Sequence, residues 1–361
     1  MEYRRLGKSG LAVSVVGLGT NNFGGRMDYD ATDKVIKEAI EQGINMIDTS
    51  NSYGRTLSEE FIGKSVKGVR DQVLLATKVA SRVEEGPHGR GTSRKHILDQ
   101  VEKSLRRLET DYIDLYQIHF PDKDTPIEET LRTLDDLVKQ GKVRYIGCSN
   151  FAGWQIAQAM ETSKALHLEP FISDQPEYSM LNRDVEAEVV PACSEYGLGI
   201  LPFFPLASGF LTGKYKRGQD APEGTRLAGN TQRAASLLTD SNFDVLEELE
   251  SFARERDRSM VELAMAWLLA DPVVSSVIAG ATKTEQVAQN ARAAKILGVD
   301  TEKVYAATFG INAALCGVAG SLIAITFTLH PYVGLPYTVR SFMIVIIAGL
   351  GNLPAVALSG M

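Results

Sequence analysis

Short apolar runs alternate with stretches of helical period along the first 294 residues. A small hairpin in YRRLGKSGLAVSVVGLGT leads into a strand at 15–20, and residues 31–42 place Val35, Ile36, Ala39 and Ile40 on one helical face. A strand at 44–49 precedes a helix near 58–66. A strand at 73–79 precedes a helix at 94–108 with Ile97, Val101, Leu105 and Leu108 at helical spacing. The strand at 113–119 is followed by a helix at 127–139, which Gly141 closes as a C-cap. The pattern continues with a strand at 143–148 and a helix from Gly153. Next come a strand at 171–173 running on to Tyr178, and a helix from near Arg183. A strand at 200–204 leads into a Gly-rich basic loop and helices at 243–254 and 259–269. The last strand, 276–279, precedes a helix from Thr284.

Strands this short and uniformly apolar are covered on both faces. Eight sequential βα units favour an α/β fold of the (β/α)8 TIM-barrel type over an open sheet. An open nucleotide-binding sheet would carry GxGxxG after its first strand. Here the loop is GLGTNNFGG, and Gly17, Gly19, Gly24 and Gly25 do not fit that spacing.

Beyond residue 294 the polarity changes. From 304 to 361 the one formally charged residue is Arg340. The uncharged runs 304–329 and 341–361 are each long enough to cross a hydrocarbon layer of ~30 Å. Gly310, Ala313, Ala314, Gly317 and Gly320 suit close helix packing, and Gly349, Gly351 and Pro354 interrupt the second run. The expected organisation is a barrel over 1–294 and an all-α hydrophobic tail of about two membrane-type helices over 295–361. The net charge of −7 and pI near 5.4 argue against nucleic acid, and against anionic membrane by charge alone. Cys148, Cys193 and Cys316 are far apart without metal-ligand spacing, so free thiols in a reducing compartment and no metal site are expected. No signal peptide is expected from the polar opening MEYRRLGKSG.

Candidate chemistry gathers at strand ends, where α/β folds place their sites. Asp48 ends INMID and Tyr53 follows five residues later; VLLATKV carries Lys78, and IDLYQIHF carries His119. A phenol titrates near ~10, so Tyr53 as a general acid is expected to need the Lys78 ammonium to lower that value. Asp48 would hold Lys78 by ion pairing, and His119 would bind a carbonyl oxygen. Trp154 and Trp267, in helical stretches, are expected to pack, and His88 to be a solvated loop residue.

The opening segment, IDTSNSYG, ATKV, DLYQIHF, GKVRYIGCSNF, QPEYSMLNR, PLASGFLTGKY and VIAGATKTEQVAQN together resemble the aldo-keto reductases over residues 1 to about 294. The resemblance implies a barrel that reduces an aldehyde or ketone with a hydride from NADPH. It places the catalytic tetrad on Asp48, Tyr53, Lys78 and His119, with Tyr53 as acid/base. It implies that Ser149, Asn150 and Gln175 hold the carboxamide of nicotinamide, with Tyr178 stacked on the ring. Leu206, Ser208, Gly209, Leu211 and Lys214 would cover the pyrophosphate. Gly280 and Thr282 precede a helix whose amides suit a phosphate; Lys283 would neutralise a 2′-phosphate, and Gln286 and Asn290 would meet adenine. Lys283 favours NADP, with NAD as the alternative. The substrate implied is a small carbonyl compound, walled by GGRMDYD and by 216–233. Its identity and the oligomeric state stay open.

The tail segments AAKILGVDTEKVYAATFGINAALCGVAG and LHPYVGLPYTVRSFMIVIIAGLGNLP resemble the permease of branched-chain amino acid or urea-type ABC importers. Only a C-terminal fragment of such a permease is present, so no transport is assigned to it. The stretch QNARAA (289–294) suits both parents, which implies a chimera; recombination, fusion and a misassembled reading frame all fit. The implied location is a cytoplasmic barrel tethered to the membrane by the tail. A membrane-tethered NADPH-sensing barrel and an importer component are the rival readings.

Overall fold

The structure, a computed structural model, describes residues 1–296; the two predicted membrane-type helices and Cys316 lie outside the described residues. Among the described residues no helix is long and apolar enough to cross a membrane. Strands β1 (Tyr3–Arg5) and β2 (Ala12–Ser14) form the expected antiparallel hairpin. Eight parallel strands follow: β3 (Val16–Gly19), β4 (Met46–Asp48), β5 (Leu74–Val79), β6 (Ile113–Ile118), β7 (Val143–Ser149), β8 (Ser173–Gln175), β9 (Gly199–Ile200) and β10 (Val277–Gly280). From β3 to β9 each pairs with the next, and β10 pairs with β3. Between β9 and β10 the ring is bridged by Ser275 N to Ile200 O at 3.0 Å and Ile278 N to Pro202 O at 2.9 Å. The outer helices are α1 (Tyr29–Glu41), α2 (Leu57–Ser65), α3 (Arg94–Arg107), α4 (Ile127–Lys139), α5 (Gly153–Leu166), α6 (Val189–Tyr196), α9 (Met260–Leu269) and α10 (Thr284–Ile296), with α7 (Thr231–Leu237) and α8 (Asp240–Glu255) inserted after β9. This is the (β/α)8 arrangement.

Three elements differ from expectation. The stretch near Arg183 gives one 3-10 turn, Asp184–Glu186, and α6 starts only at Val189. Pro191 is tolerated only in a first helical turn, which sets that start. Strand β9 is cut to two residues because Pro202 brings no N–H to the ladder. The basic loop contains α7, nucleated by Asn230 Oδ1 accepting from Arg233 N at 2.9 Å.

The period of two along each strand builds the site's floor. Met46, Ala76 and Leu115 point inward and pack with Leu6 and Val13 of the hairpin, Leu201 and Ile278, plugging the barrel. Two residues further on, the same inward face carries Asp48, Lys78 and Gln117, with His119 above. The intervening Ile47, Leu75, Tyr116 and Ile118 point outward into the strand–helix layer. Trp267 packs there as expected, whereas Trp154 is 62% exposed because it lies on the solvent side of α5.

Candidate active site

Strand β4 ends at Asp48, and the chain turns to bring Tyr53 over the barrel mouth. The turn needs left-handed backbone at Gly54 (φ 57°), Arg55 (φ 55°) and Thr56 (φ 81°). A Cβ on Gly54 would stand 2.2 Å from the carbonyl oxygen of Phe23, so glycine is required there on both counts.

Below Tyr53, Lys78 is fully buried and donates to both oxygens of Asp48 at 2.7 and 2.6 Å, and to Thr49 O at 2.9 Å. Asp48 also accepts from Gln175 Nε2 at 2.8 Å and Gln117 Nε2 at 3.3 Å. A buried pair survives desolvation only when its remaining hydrogen-bonding capacity is filled, and the two amides do this. Burial pulls the Lys78 ammonium down, but Asp48 and Tyr53 hold it above its ordinary value.

Lys78 Nζ lies 5.1 Å from the Tyr53 ring centroid, and the His119 ring sits edge-on to it at 5.8 Å. Contrary to expectation, the Tyr53 phenol is held above its ordinary value. Burial is the largest cause and outweighs Lys78, whose field Asp48 opposes. Burial, with Lys78 adding, pushes His119 down to about 3, so the imidazole is neutral. Its Nδ1 meets the hydroxyls of Ser81 at 3.0 Å and Ser50 at 3.2 Å. With Nδ1 accepting from these hydroxyls, Nε2–H is left to donate.

A cavity of about 840 Å³ opens above this group. Asp48, Tyr53 and His119 reach its wall, with Lys78 directly beneath. Of the residues singled out in the sequence, Ser149, Asn150, Gln175, Leu206, Ser208, Gly209, Lys214, Gly280, Thr282, Lys283, Gln286 and Asn290 also line it. Two do not. Tyr178 is buried away from the cavity, donating from its hydroxyl to Glu186 at 2.9 Å and packing on Trp267 at 5.3 Å. Leu211 points into the cluster beneath the loop with Phe210, Tyr215 and Phe243. Besides Tyr53 and His119, the aromatic side chains on the cavity's wall are Phe120, Phe203 and Phe204, the last two from the loop after the short strand β9. Sequence reasoning also misses Gln117, Arg226 and the Asn21–Asn22 pair as individual residues. The period-two run Leu115, Gln117, His119 is the signal that indicates Gln117; nothing local marks Arg226, which arrives from the loop before α7.

The amide groups on the wall are half used. Asn150 Nδ2 donates to His119 O at 2.9 Å and Gln175 Nε2 to Asp48, while among the described residues nothing donates to Asn150 Oδ1 or Gln175 Oε1. At the far end Gln286 Oε1 accepts from Thr282 N at 2.8 Å, ahead of α10.

A parallel barrel with proton-handling side chains at the C-terminal ends of its strands defines an enzyme-like site on a (β/α)8 scaffold. A family model described as the aldo/keto reductase family matches residues 15–307. An "Uncharacterized oxidoreductase YrpG" of Bacillus subtilis is 38% identical, over 82% of this chain and 92% of the relative. The L-glyceraldehyde 3-phosphate reductase of Escherichia coli O157:H7 is 34% identical, over 84% of this chain and 90% of that protein. A probable voltage-gated potassium channel subunit beta of Oryza sativa subsp. japonica is 36% identical, over 84% and 94%. The chain belongs to the aldo/keto reductase family, and its relatives support an oxidoreductase activity. A second model, the permease component of branched-chain amino acid transport systems, matches residues 263–361 and overlaps the first.

Proposed function

We propose that this chain reduces a small aldehyde or ketone to the alcohol with a hydride from NADPH. NADH is the alternative donor. The observation that carries this reading is the buried Asp48–Lys78 pair beneath Tyr53, with neutral His119 at its side, all at the floor of one cavity. The wall fits a nicotinamide cofactor, because Asn150 Oδ1 and Gln175 Oε1 are the acceptors that a carboxamide needs. Ser149 would complete that set. Lys214, Gly280, Thr282 and Lys283 would hold phosphates, with Gln286 and Asn290 beside the adenine; Lys283 supports NADP over NAD. Phe203, rather than Tyr178, is the aromatic wall for the ring.

A nicotinamide held by Asn150, Gln175 and Ser149 would supply the hydride. His119 Nε2–H orients the carbonyl oxygen, and Tyr53 passes its proton to that oxygen as negative charge develops there. A raised phenol value keeps that proton in place near neutrality. Lys78 stabilises the phenolate left behind, and Asp48 fixes Lys78. The relative named as an L-glyceraldehyde 3-phosphate reductase supports a small aldehyde as substrate.

Tyr53→Phe is expected to abolish carbonyl reduction while NADPH binding persists; activity near wild type would sink the assignment. The channel-subunit relative favours a second reading, a cofactor-binding regulatory barrel. NADPH binding with no turnover across a broad aldehyde panel would select it. For 295–361 we read a permease-derived, non-transporting tail that tethers a cytoplasmic barrel to the membrane. Release of the full chain from membranes by alkaline carbonate would overturn the tether. Solute uptake by cells making this chain alone would revive the importer reading.

A further inference from the structure

The turn that carries Tyr53 is strained and is held from outside. Gly54, Arg55 and Thr56 are consecutive left-handed residues, and a β-branched residue such as Thr56 at φ 81° persists only where its surroundings fix it. Helix α2 starts directly after the turn, and Thr56 gives it no side-chain cap. Two residues of its first turn, Ser58 and Glu59, are instead fully buried and bonded to strand ends. Ser58 Oγ meets Thr49 Oγ1 at 2.8 Å and Thr20 Oγ1 at 3.0 Å. Thr20 Oγ1 donates to Asp48 O at 2.9 Å, which uses its one proton. Ser58 therefore donates to Thr20 and accepts from Thr49, and the three hydroxyls form one directed chain ending on the backbone of Asp48. Glu59 makes the tie on the other side. Its Oε1 accepts from Thr77 Oγ1 at 2.5 Å, and its Oε2 from Arg107 Nε of α3 at 2.7 Å. Thr49 follows Asp48 in the chain and Thr77 precedes Lys78. The start of α2 is thus fastened beside both members of the ion pair under Tyr53. A buried ion pair is a poor source of stability, and an apolar side chain could fill the same layer. What the Glu59 carboxylate adds is direction, through two charge-assisted bonds to fixed partners.

We propose that Ser58 and Glu59 are positioning residues that hold the Tyr53 phenol in register with Lys78. Proton transfer to the substrate oxygen then depends on two side chains that do not line the cavity. This rests on the reductase reading above.

The full-length protein is compared with its Ser58→Ala, Thr77→Val and Thr77→Ser variants. Thr77→Val keeps the side-chain shape and removes the donor to Glu59 while leaving the Arg107 pair intact; Thr77→Ser keeps the donor. Urea midpoints establish that each variant is folded under the assay conditions. The readouts are the rate of a single turnover of glyceraldehyde by enzyme-bound NADPH, and the NADPH dissociation constant. Ser58→Ala and Thr77→Val should slow the single turnover about 10- to 100-fold, the scale of a displacement of about 1 Å at a reacting group. Their NADPH dissociation constants should stay within about twofold of wild type, and Thr77→Ser should keep its single-turnover rate within about threefold, because it retains the hydrogen bond. Wild-type rates in Ser58→Ala and Thr77→Val would overturn the proposal, as would equal losses in Thr77→Val and Thr77→Ser or losses matched by weaker NADPH binding. If Thr77→Val does not fold, Ser58→Ala gives the same opposed outcomes. Fluorine NMR of protein labelled with 3-fluorotyrosine, the Tyr53 line assigned by its absence in Tyr53→Phe, is independent of turnover. That line should shift or split in Ser58→Ala and Thr77→Val and stay in place in Thr77→Ser. An unmoved line overturns the positioning role. A line that moves as expected in a protein that reduces no aldehyde would uphold the clamp and overturn the reductase reading alone.

Discussion

Gln175 donates from Nε2 to Asp48 Oδ1 at 2.8 Å, tying the amide-lined wall of the cavity to the ion pair beneath Tyr53. The other end of the same amide, Oε1, accepts no hydrogen bond among the described residues, and the reading above gives it to the nicotinamide carboxamide. Gln175→Ala is therefore expected to act twice, raising the NADPH dissociation constant and lowering kcat, each by about tenfold. Gln117→Ala removes only the longer 3.3 Å bond to the same oxygen and should lower kcat with NADPH binding unchanged. Fluorescence titration beside steady-state kinetics separates the two, and identical behaviour of the variants would break the proposed link.

The Asp48–Lys78 pair should behave as a unit in stability as well as in turnover. Lys78→Met strands a carboxylate that is 2% exposed, and Asp48→Leu strands a fully buried ammonium. Each should cost about 3–5 kcal/mol, whereas the double variant should cost clearly less than the sum. Urea unfolding of the four proteins gives the coupling directly, and additive losses would show that the charges do not depend on each other. All three variants should lose turnover.

Much of this site is visible in the sequence because strand periodicity is strict. Once Met46, Ala76 and Leu115 are inward, Asp48, Lys78 and Gln117 must follow on the same face, so the alternation alone reveals the strand-end chemistry. The loops have no such rule. Tyr178 follows strand β8 closely enough to suggest a ring-stacking role, yet its hydroxyl is taken by Glu186 and its ring by Trp267. Leu211 lies in a glycine-containing loop that turns it inward. Arg226 is separated from Asn21 and Asn22 by some two hundred residues, and only closure of the barrel brings them together. The sign of the Tyr53 shift also escapes residue-type reasoning. Lys78 opposes the rise as expected, but burial acts on the phenol more strongly than the already paired ammonium.

Gly54 offers a test of positioning without a change of chemistry. Gly54→Ala forces a Cβ against Phe23 O, 2.2 Å away, in a left-handed backbone conformation. The turn must shift and carry Tyr53 with it. A displacement of about 1 Å at the reacting group is expected to lower kcat by about 100-fold. Nearby Gly25 has open space around the same position and no positive φ, so Gly25→Ala should stay close to wild type. Equal effects of the two substitutions would mean that the Tyr53 turn tolerates movement.

Asp174 supplies a pH signature that belongs to the fold rather than to turnover. It alternates with Ser173 and Gln175 on β8, so its side chain leaves the barrel interior. It is fully buried, and neither carboxyl oxygen has a well-formed hydrogen bond among the described residues. Burial pushes its carboxyl from 3.8 up to about 7. Between these values the folded protein binds a proton that the unfolded chain does not, so this contribution is fully present below pH 3.8 and is lost as pH rises to 7. His119 has the opposite sign: its value falls from 6.5 to about 3, so stability is lost as pH drops through that window. Over most of the acidic range the two slopes oppose, and the wild-type curve alone will look flatter than either. The difference between wild type and Asp174→Asn isolates the carboxyl, because His119 is common to both. Relative to the variant, the wild type should lose up to about 1.4 kcal/mol per pH unit on going from pH 4 to pH 7, measured by urea midpoints at fixed ionic strength. A difference that stays constant across that range would mean that Asp174 is ionised in the folded protein and has a partner that compensates its burial.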